Sequence, residues 1–237
     1  MPCLLLMHVS FSPVQGQPSY EDPNGSLREL VVDPNCKTIQ LYREGWPLSY
    51  PVIHLHEDIP LILEFDDLST DQPTFMYKLY HCNADWTLSD LNEQEYLEGF
   101  IENELPGGEP SFNTYYSYLH YTLPIPNQTT RLLLSGNYLL VVYKNRDPED
   151  VVFTRRFMVT KNAVNIEAKA GRPVLSQYRD CCHEVDFTIK HFGVRIDDPF
   201  GETRAVIHQN GLWDVSIYNL QPFMVNPNVL VYDYQEE

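Results

Sequence analysis

Two consecutive apolar stretches predict one antiparallel hairpin. Every residue from 138 to 143 is apolar or aromatic, and β-branched and aromatic residues recur from 151 to 159. The polar residues 145–150 between them contain Asp147-Pro148, a pair that favours a turn. Because a run without polar alternation is typical of a strand buried on both faces, we predict that this hairpin lies in the middle of a sheet.

Further short apolar stretches, separated by proline, aspartate or glycine, predict the other strands of a β-sandwich. They lie within residues 29–42, 52–56, 61–65, 74–82, 112–122 and 131–134. Their even spacing is typical of an immunoglobulin-like β-sandwich, which we assign to residues 20–160. Tyr138 follows Ser135-Gly136 as in a tyrosine corner, where a strand tyrosine bonds back to nearby backbone, but an ordinary half-buried strand tyrosine fits the sequence as well.

The two ends of the chain differ from this central region. Residues 1–19 contain the apolar run Leu4–Met7 followed by small and polar residues, which resembles a secretory leader and favours export. Residues 161–237 predict a second, smaller β-sandwich region of roughly five strands, with Asn210-Gly211 as a hairpin turn. Because this region is small for an independent sandwich, we expect it to be truncated, as part of a longer protein.

A long insertion, residues 83–110, interrupts the strands of the sandwich. It holds eight acids and no base, and residues 89–93 can cap a short helix that Gly99 would end. One interpretation is an insertion folded over the sandwich edge with its aromatic residues buried. The other is a recognition loop that presents aromatic anchors inside an acidic rim. The second interpretation assigns partner binding to Asp85, Trp86, Tyr96, Glu98 and Phe100.

Charge and cysteine content narrow the classes of partner. The 237 residues carry a formal net charge of -17, so the surface repels phosphate, and we expect neither nucleic acid nor direct membrane insertion. A basic protein surface is a better partner for such a chain. The five cysteines, at positions 3, 36, 82, 181 and 182, have no C-x-x-C spacing and give no zinc-ribbon signature. Cys36 and Cys82 could pair if their strands are neighbours, but buried free thiols are expected.

Known catalytic motifs are absent from the sequence. It contains no G-x-S-x-G elbow, no phosphate-binding glycine loop and no complete H-E-x-x-H. His54 and His56, two apart in a predicted strand, could share a metal ion with His81 or His120, although such histidines are commonly surface residues. The carboxylates of residues 66–71 lack the glycine and closing glutamate of an EF-hand, so an aspartate-rich turn is the simpler interpretation. We therefore predict no catalytic residue, metal or cofactor.

Seven short blocks follow one another along the chain: Lys37–Trp46, Phe65–Leu68, His81–Trp86, Tyr96–Phe100, Ser135–Tyr138, Thr154–Met158 and Arg195–Phe200. Together, in this order, they resemble the N-terminal part of the type IX secretion system plug protein family. The resemblance implies an exported protein that sits at the periplasmic mouth of the outer-membrane translocon barrel and closes it when no cargo passes. It also implies a longer full-length protein, and it ascribes no catalytic residues.

Three hypotheses follow for the function of the chain. The leading one is a monomeric, non-enzymatic periplasmic protein that associates with the outer membrane by binding and closing the translocon barrel. The alternative is a periplasmic or surface glycan-binding β-sandwich module, in which Trp46, Trp86 and Trp213 stack on sugar rings. A third is a metal hydrolase built on His54 and His56.

Overall fold

A computed structural model describes residues 20–69 and 71–233, and nearly all of its elements are strands, which confirms the predicted all-β class. The first region contains β1 (Leu30–Val31), β2 (Cys36–Arg43), β3 (Val52–His54), β4 (Leu61–Asp67), β5 (Phe75–Cys82), α1 (Glu93–Tyr96), β6 (Leu97–Gly99), β7 (Glu102–Glu104), β8 (Glu109–Pro110), β9 (Leu119–Ile125), β10 (Thr130–Leu132), β11 (Gly136–Lys144) and β12 (Val151–Thr160). The predicted leader, residues 1–19, lies outside the described residues. Within those residues no helix has the length and apolar character needed to cross a membrane.

The predicted hairpin is formed by β11 and β12 and lies at the centre of the first sheet. The strand order is β1-β12-β11-β5-β7, with β3 parallel to the C-terminal part of β12. Tyr138 lies opposite Phe157, and Val142 lies opposite Phe153. Every residue from 138 to 143 is buried, so the prediction of burial on both faces is confirmed.

The second sheet, in the order β2-β4-β9-β8, forms the other layer of the sandwich. Strand β4 alternates in burial and places Leu61, Leu63 and Phe65 in the core between the layers. The Phe65 ring stacks on Tyr121 of its own sheet at 5.0 Å and meets Phe153 of the first sheet edge-on at 5.1 Å. Because burial of a large apolar side chain contributes about 1.5–3 kcal/mol, these rings hold the two layers together.

The outer face of the first sheet is covered by the N-terminal segment and part of the insertion. The Thr154 hydroxyl on β12 donates to the Arg28 carbonyl at 2.7 Å, which fixes the segment beside the sheet. The buried residues of this second apolar cluster are Tyr20, Leu27, Cys82, Trp86, Leu139, Val141 and Val151. Their packing explains why β11 has no polar face.

Tyr138 begins the central strand and forms a tyrosine corner. Its hydroxyl donates to the Leu134 carbonyl, four residues upstream, at 2.8 Å. The buried ring stacks on Phe157 at 5.2 Å and receives the edge of His81 at 5.0 Å. Of the two interpretations of Tyr138, the tyrosine corner is the one that the structure confirms.

The second region is smaller and has its own sheet and hairpin. Its elements are β13 (Asn165–Gly171), the 3-10 helix Ser176–Tyr178, β14 (Glu184–Lys190), α2 (Pro199–Glu202), β15 (Ala205–Gln209), β16 (Leu212–Leu220), β17 (Met224–Asn226) and β18 (Val229–Tyr232). Asn210 and Gly211 have φ values of 54° and 70°, so the predicted hairpin turn is confirmed. The Phe187 and Tyr232 rings stack at 4.3 Å in a small core of three buried residues among those described.

The cysteines of the first region are buried free thiols, as predicted. Cys36 packs between the two sheets, whereas Cys82 packs in the cluster on the outer face of the first sheet. Burial raises the pKa of each thiol to about 12, so neither is ionised at neutral pH. Both side chains therefore serve as small apolar core residues.

Candidate interaction surface

The insertion at residues 83–110 folds against the sandwich. Asn92 and Glu95 form a capping box that starts α1, and the helix continues directly into β6, so it ends at Tyr96 and not at Gly99 as predicted. Strand β6 pairs with β10, and β7 pairs with β5 at the edge of the first sheet. Covering this edge pairs backbone groups that would otherwise template aggregation. The edge-covering interpretation thus explains the path of the insertion.

Trp86 is buried, with 3% of its surface exposed. It lies in a turn at a φ of 67°, where its backbone N–H donates to the Asn83 carbonyl at 3.0 Å. The Arg156 guanidinium lies 4.5 Å above its ring, and the Trp213 ring meets it edge-on at 4.7 Å. The prediction that Trp86 is an exposed anchor is wrong, because the turn directs the ring beneath these two side chains.

Tyr96 is equally buried, with 3% of its surface exposed. Its hydroxyl donates to the Leu79 carbonyl at 3.4 Å, and its ring lies 5.6 Å from the His81 ring and 6.1 Å from the Tyr138 ring. Burial raises the pKa of the Tyr96 phenol to about 12. Tyr96 therefore closes the sandwich core beside the tyrosine corner, and its prediction as an exposed anchor is also wrong.

The other three predicted residues are exposed, but they are not grouped, and Asp85 and Glu98 line two different clefts. Asp85 borders the cleft between the two regions, and hydrogen bonds from the Thr87 side chain and backbone lower the pKa of its carboxyl. Glu98 lies 3.4 Å from Arg131 in a groove at the β6 end of the sandwich. Phe100, next along the chain after β6, is 67% exposed. These three residues remain candidates for partner contact.

A group of exposed aromatic side chains that the sequence analysis missed lies on residues 111–118, which we call the aromatic loop. Phe112 and Tyr115 are each 93% exposed, and Tyr116 is 70% exposed. The predicted strand over 112–122 is wrong in its first half, since β9 begins at Leu119. Its neighbour β8 has two residues, and no strand among the described residues pairs with the chain before β9. The aromatic content of the loop was the available signal, but it also favoured a strand.

Short hydrogen bonds hold the aromatic loop in one shape. The Ser111 backbone N–H donates to the Tyr118 carbonyl at 2.9 Å, and the Tyr118 N–H donates to the Ser111 hydroxyl at 3.0 Å. The Thr114 hydroxyl donates to the Tyr116 carbonyl at 2.7 Å. The Tyr115 and Tyr116 rings meet edge-on at 4.9 Å. The loop is therefore closed at its base and braced at its tip.

Carboxylates lie at the same end of the sandwich as the aromatic loop. Backbone hydrogen bonds from Asn145 to Thr74, at 2.8 Å, and from Leu105 to Phe75, at 2.9 Å, bring the neighbouring connections together. We call the exposed carboxylates of these connections the acidic rim: Asp71, Glu104, Glu109, Asp147, Glu149 and Asp150. This end of the molecule therefore combines exposed aromatic rings with a surplus of negative charge.

Two cations beside the acidic rim, Lys144 and Arg146, are paired with carboxylates. Lys144 forms an ion pair with the buried carboxylate of Asp33. Arg146 lies 3.2 Å from Glu104. Beside the loop, His120 on β9 is bonded to Asp66 at 2.8 Å. These pairs neutralise single carboxylates and leave the charge of the rim negative.

A stack of cationic and aromatic side chains joins the two regions of the chain. Arg156 of β12 is buried, donates to the Leu27 carbonyl through Nε at 2.8 Å, and lies 5.3 Å from the Trp213 ring of β16. The His208 ring of β15 packs against Trp213 at 4.3 Å. A cleft of about 1220 Å³ opens beside this stack. The contacts fix where the hairpin of the second region meets the first sandwich.

The glycan hypothesis needs tryptophan rings with open faces. Trp86 has none, because Arg156 and Trp213 cover it. Trp46 is 63% exposed but lies in the turn after β2, outside the residues that line the cleft. The three tryptophans therefore do not form one sugar-binding platform.

The histidines considered as candidate metal ligands, His54 and His56, do not share one face of a strand. Strand β3 ends at His54, and His56 has a φ of 65°, so the two rings are not related by strand periodicity. His81 is instead half-buried beside the tyrosine corner and bonded to Ser89 at 3.0 Å. Across residues 20–69 and 71–233, no three histidine, cysteine or carboxylate side chains are grouped to hold a metal ion.

The family model of the type 9 secretion system plug protein 1st domain matches residues 36–161. These residues run from the start of β2 to just past β12 and make up more than half of the chain. The chain belongs to the type IX secretion system plug protein family. The resemblance drawn from the seven sequence blocks is thus confirmed, and residues 36–161 form the plug domain. Membership implies an exported, envelope-associated protein with a role in type IX secretion.

A solved structure is similar to most of this chain. The crystal structure of a hypothetical protein from Parabacteroides merdae is 29% identical with a TM-score of 0.79, and the match covers 87% of this chain and 52% of that one. This chain therefore spans about half the length of that protein. The Pseudomonas fluorescens alkylpurine DNA glycosylase AlkC, bound to DNA containing an abasic site analog, is 15% identical over 53% of this chain and 30% of that one, with a TM-score of 0.29 that supports no comparison of fold or function. No curated protein matches the chain significantly.

Proposed function

We propose that this plug-family protein acts without catalysis in the periplasm, where it binds the type IX outer-membrane translocon barrel and closes its periplasmic mouth. The observation that carries the proposal is the match of residues 36–161 to the plug domain. The absence of known catalytic motifs from the sequence supports a role in binding. The surplus of acidic over basic residues supports a protein partner over nucleic acid.

The physical properties of the plug domain suit a protein that closes a pore. Such a protein must keep its shape while it blocks the lumen, and close-packed protein interiors resist compression. The plug domain has a core between two sheets and a second apolar cluster on the outer face of the first sheet. The net charge of -17 would steer the protein toward a basic surface. Because the Debye length is about 10 Å at 0.1 M salt, such binding should weaken as salt is added.

Affinity purification tests the proposal directly. The full-length protein, tagged and expressed at its natural level, should enrich the translocon barrel when envelopes are solubilised and purified. A tagged, unrelated periplasmic β-sandwich protein is the control for non-specific recovery. Deletion of the gene should raise the entry of a large dye that the intact outer membrane excludes. Absence of the barrel from the purified material, with unchanged dye entry, would overturn the proposal.

A further inference from the structure

The packing of the fold does not explain why the aromatic loop carries exposed aromatic rings. Phe112, Tyr115 and Tyr116 together present a large apolar area to solvent, although each contributes nothing to either core cluster. Single exposed apolar residues are normal on protein surfaces, but three exposed rings within five positions are an unusual local concentration. Aromatic side chains of this kind are enriched among the residues that dominate binding energies.

The aromatic loop is organised before any partner arrives. The Ser111, Thr114 and Tyr118 hydrogen bonds fix its backbone. At its base, Gly108 lies so close to Tyr121 that an added Cβ would come within 2.8 Å of the ring. A loop already held in its bound shape loses little conformational entropy on association. The structure therefore presents the rings on a loop whose backbone is already held by hydrogen bonds.

The position of the aromatic loop keeps it away from the second region. Phe75 and Tyr121, near the starts of β5 and β9, meet edge-on at 5.0 Å, so these strand ends lie at the same end of the sandwich as the loop. Strand β12 starts at that end and finishes at Thr160, at the opposite end, where the second region follows. The anchors therefore remain accessible while the second region is in place.

We propose that the aromatic loop is the surface through which this protein contacts the translocon barrel, and that the contacted surface is an apolar depression bordered by arginine or lysine. The three rings would pack against an apolar surface on the partner. The acidic rim would face basic residues on the partner, because the two cations beside the rim, Lys144 and Arg146, are already paired with Asp33 and Glu104. The inference rests on the proposed function, since it assigns a surface to that same interaction.

The test uses the full-length tagged protein in cells that carry the translocon. A variant with Phe112→Ser, Tyr115→Ser and Tyr116→Ser removes the anchors. A second variant, with Trp46→Ser and Phe192→Ser, removes two exposed rings, 63% and 76% exposed, from other parts of the surface. We expect the first variant to recover about tenfold less barrel than the wild type, a change that corresponds to about 1.4 kcal/mol, and the second to recover wild-type amounts. Thermal melting should be the same for all three proteins, because the replaced rings are exposed.

A paired charge reversal tests the border of the contact. Glu149→Lys changes the acidic rim, and Asp180→Lys makes the same charge change at an exposed position of the second region. The first should lower recovery of the barrel at low salt, and the second should not. Equal loss from both would show that overall charge, and not the rim, governs binding, and would overturn the basic border.

The outcomes separate the two proposals. If the wild type recovers no barrel, both the proposed function and the assigned surface fail. If the wild type and the triple variant recover equal amounts, the proposed function stands and the aromatic loop is not the contact. Loss of recovery in the Trp46 and Phe192 variant alone would also overturn the loop and place the contact elsewhere on the protein.

Discussion

Removal of the Tyr138 hydroxyl tests whether the tyrosine corner stabilises the sandwich. Tyr138→Phe keeps the ring that stacks on Phe157 and deletes one hydrogen bond, the 2.8 Å bond to the Leu134 carbonyl. Burial raises the pKa of this phenol, so the hydroxyl stays protonated and donates that bond at any physiological pH. The substitution therefore isolates the contribution of the bond.

The expected loss follows from the burial of the group. Tyr138 has 0% of its surface exposed, but Leu134 is 37% exposed, so water can reach part of the carbonyl side. We therefore expect the free energy of unfolding to fall by about 1–2 kcal/mol, within the usual range for one buried hydrogen bond. In a protein of this size each kcal/mol lowers the Tm by about 2–4 °C.

Tyr143→Phe is the matched control on the same strand. Burial and the nearby Glu102 carboxylate raise the pKa of Tyr143 to about 12, but the hydroxyl has no partner in hydrogen-bonding geometry among the described residues. Its removal should leave stability unchanged or slightly raised. Urea unfolding followed by tryptophan fluorescence measures both variants. Equal stability of the two variants would refute the argument that the corner bond stabilises the fold.

Three further predictions concern the contact between the two regions, the half-buried His81 and the strained backbone at Gly99. Trp213→Ala should speed hydrogen exchange in β15 and β16 without affecting β11, because it removes the ring that packs on Trp86 at 4.7 Å. The free energy of unfolding should decline as pH falls below about 6.5, because burial lowers the pKa of His81 and the unfolded chain therefore takes up the proton first. His81→Gln should reduce this dependence of stability on pH, measured by urea unfolding at several pH values. Gly99→Ala should lower the free energy of unfolding by about 2–4 kcal/mol, since φ is 110° and an added Cβ would lie 2.1 Å from the Thr129 carbonyl oxygen.

Each of these predictions has a matched control. Phe223→Ala removes an exposed ring of the second region and should leave exchange in β15 unchanged. His183→Gln replaces an exposed histidine and is the control for the pH slope. Gly45→Ala also places alanine at a positive φ, 78°, but meets no atom within 4 Å, so it should cost only about 1 kcal/mol. Equal effects of a variant and its control would contradict the corresponding explanation.

The sequence alone determined the parts of this protein whose causes are local. Unbroken apolar residues around a polar turn predicted the β11–β12 hairpin, and Asn210-Gly211 predicted the second hairpin, because turn chemistry and strand propensity act over a few neighbouring residues. The order of seven short blocks also identified the family that the match to residues 36–161 confirms.

Tertiary structure decided which aromatic residues are exposed. The local sequence does not distinguish the aromatic residues Trp86 and Tyr96 from Phe112 and Tyr115. Trp86 and Tyr96 are nevertheless buried, whereas Phe112 and Tyr115 are exposed. Burial of Trp86 depends on Arg156 and Trp213, which are distant in the chain, and exposure of the aromatic loop follows from the lack of a partner strand beside it. Side-chain exposure is set by long-range packing, which no local pattern of residues encodes.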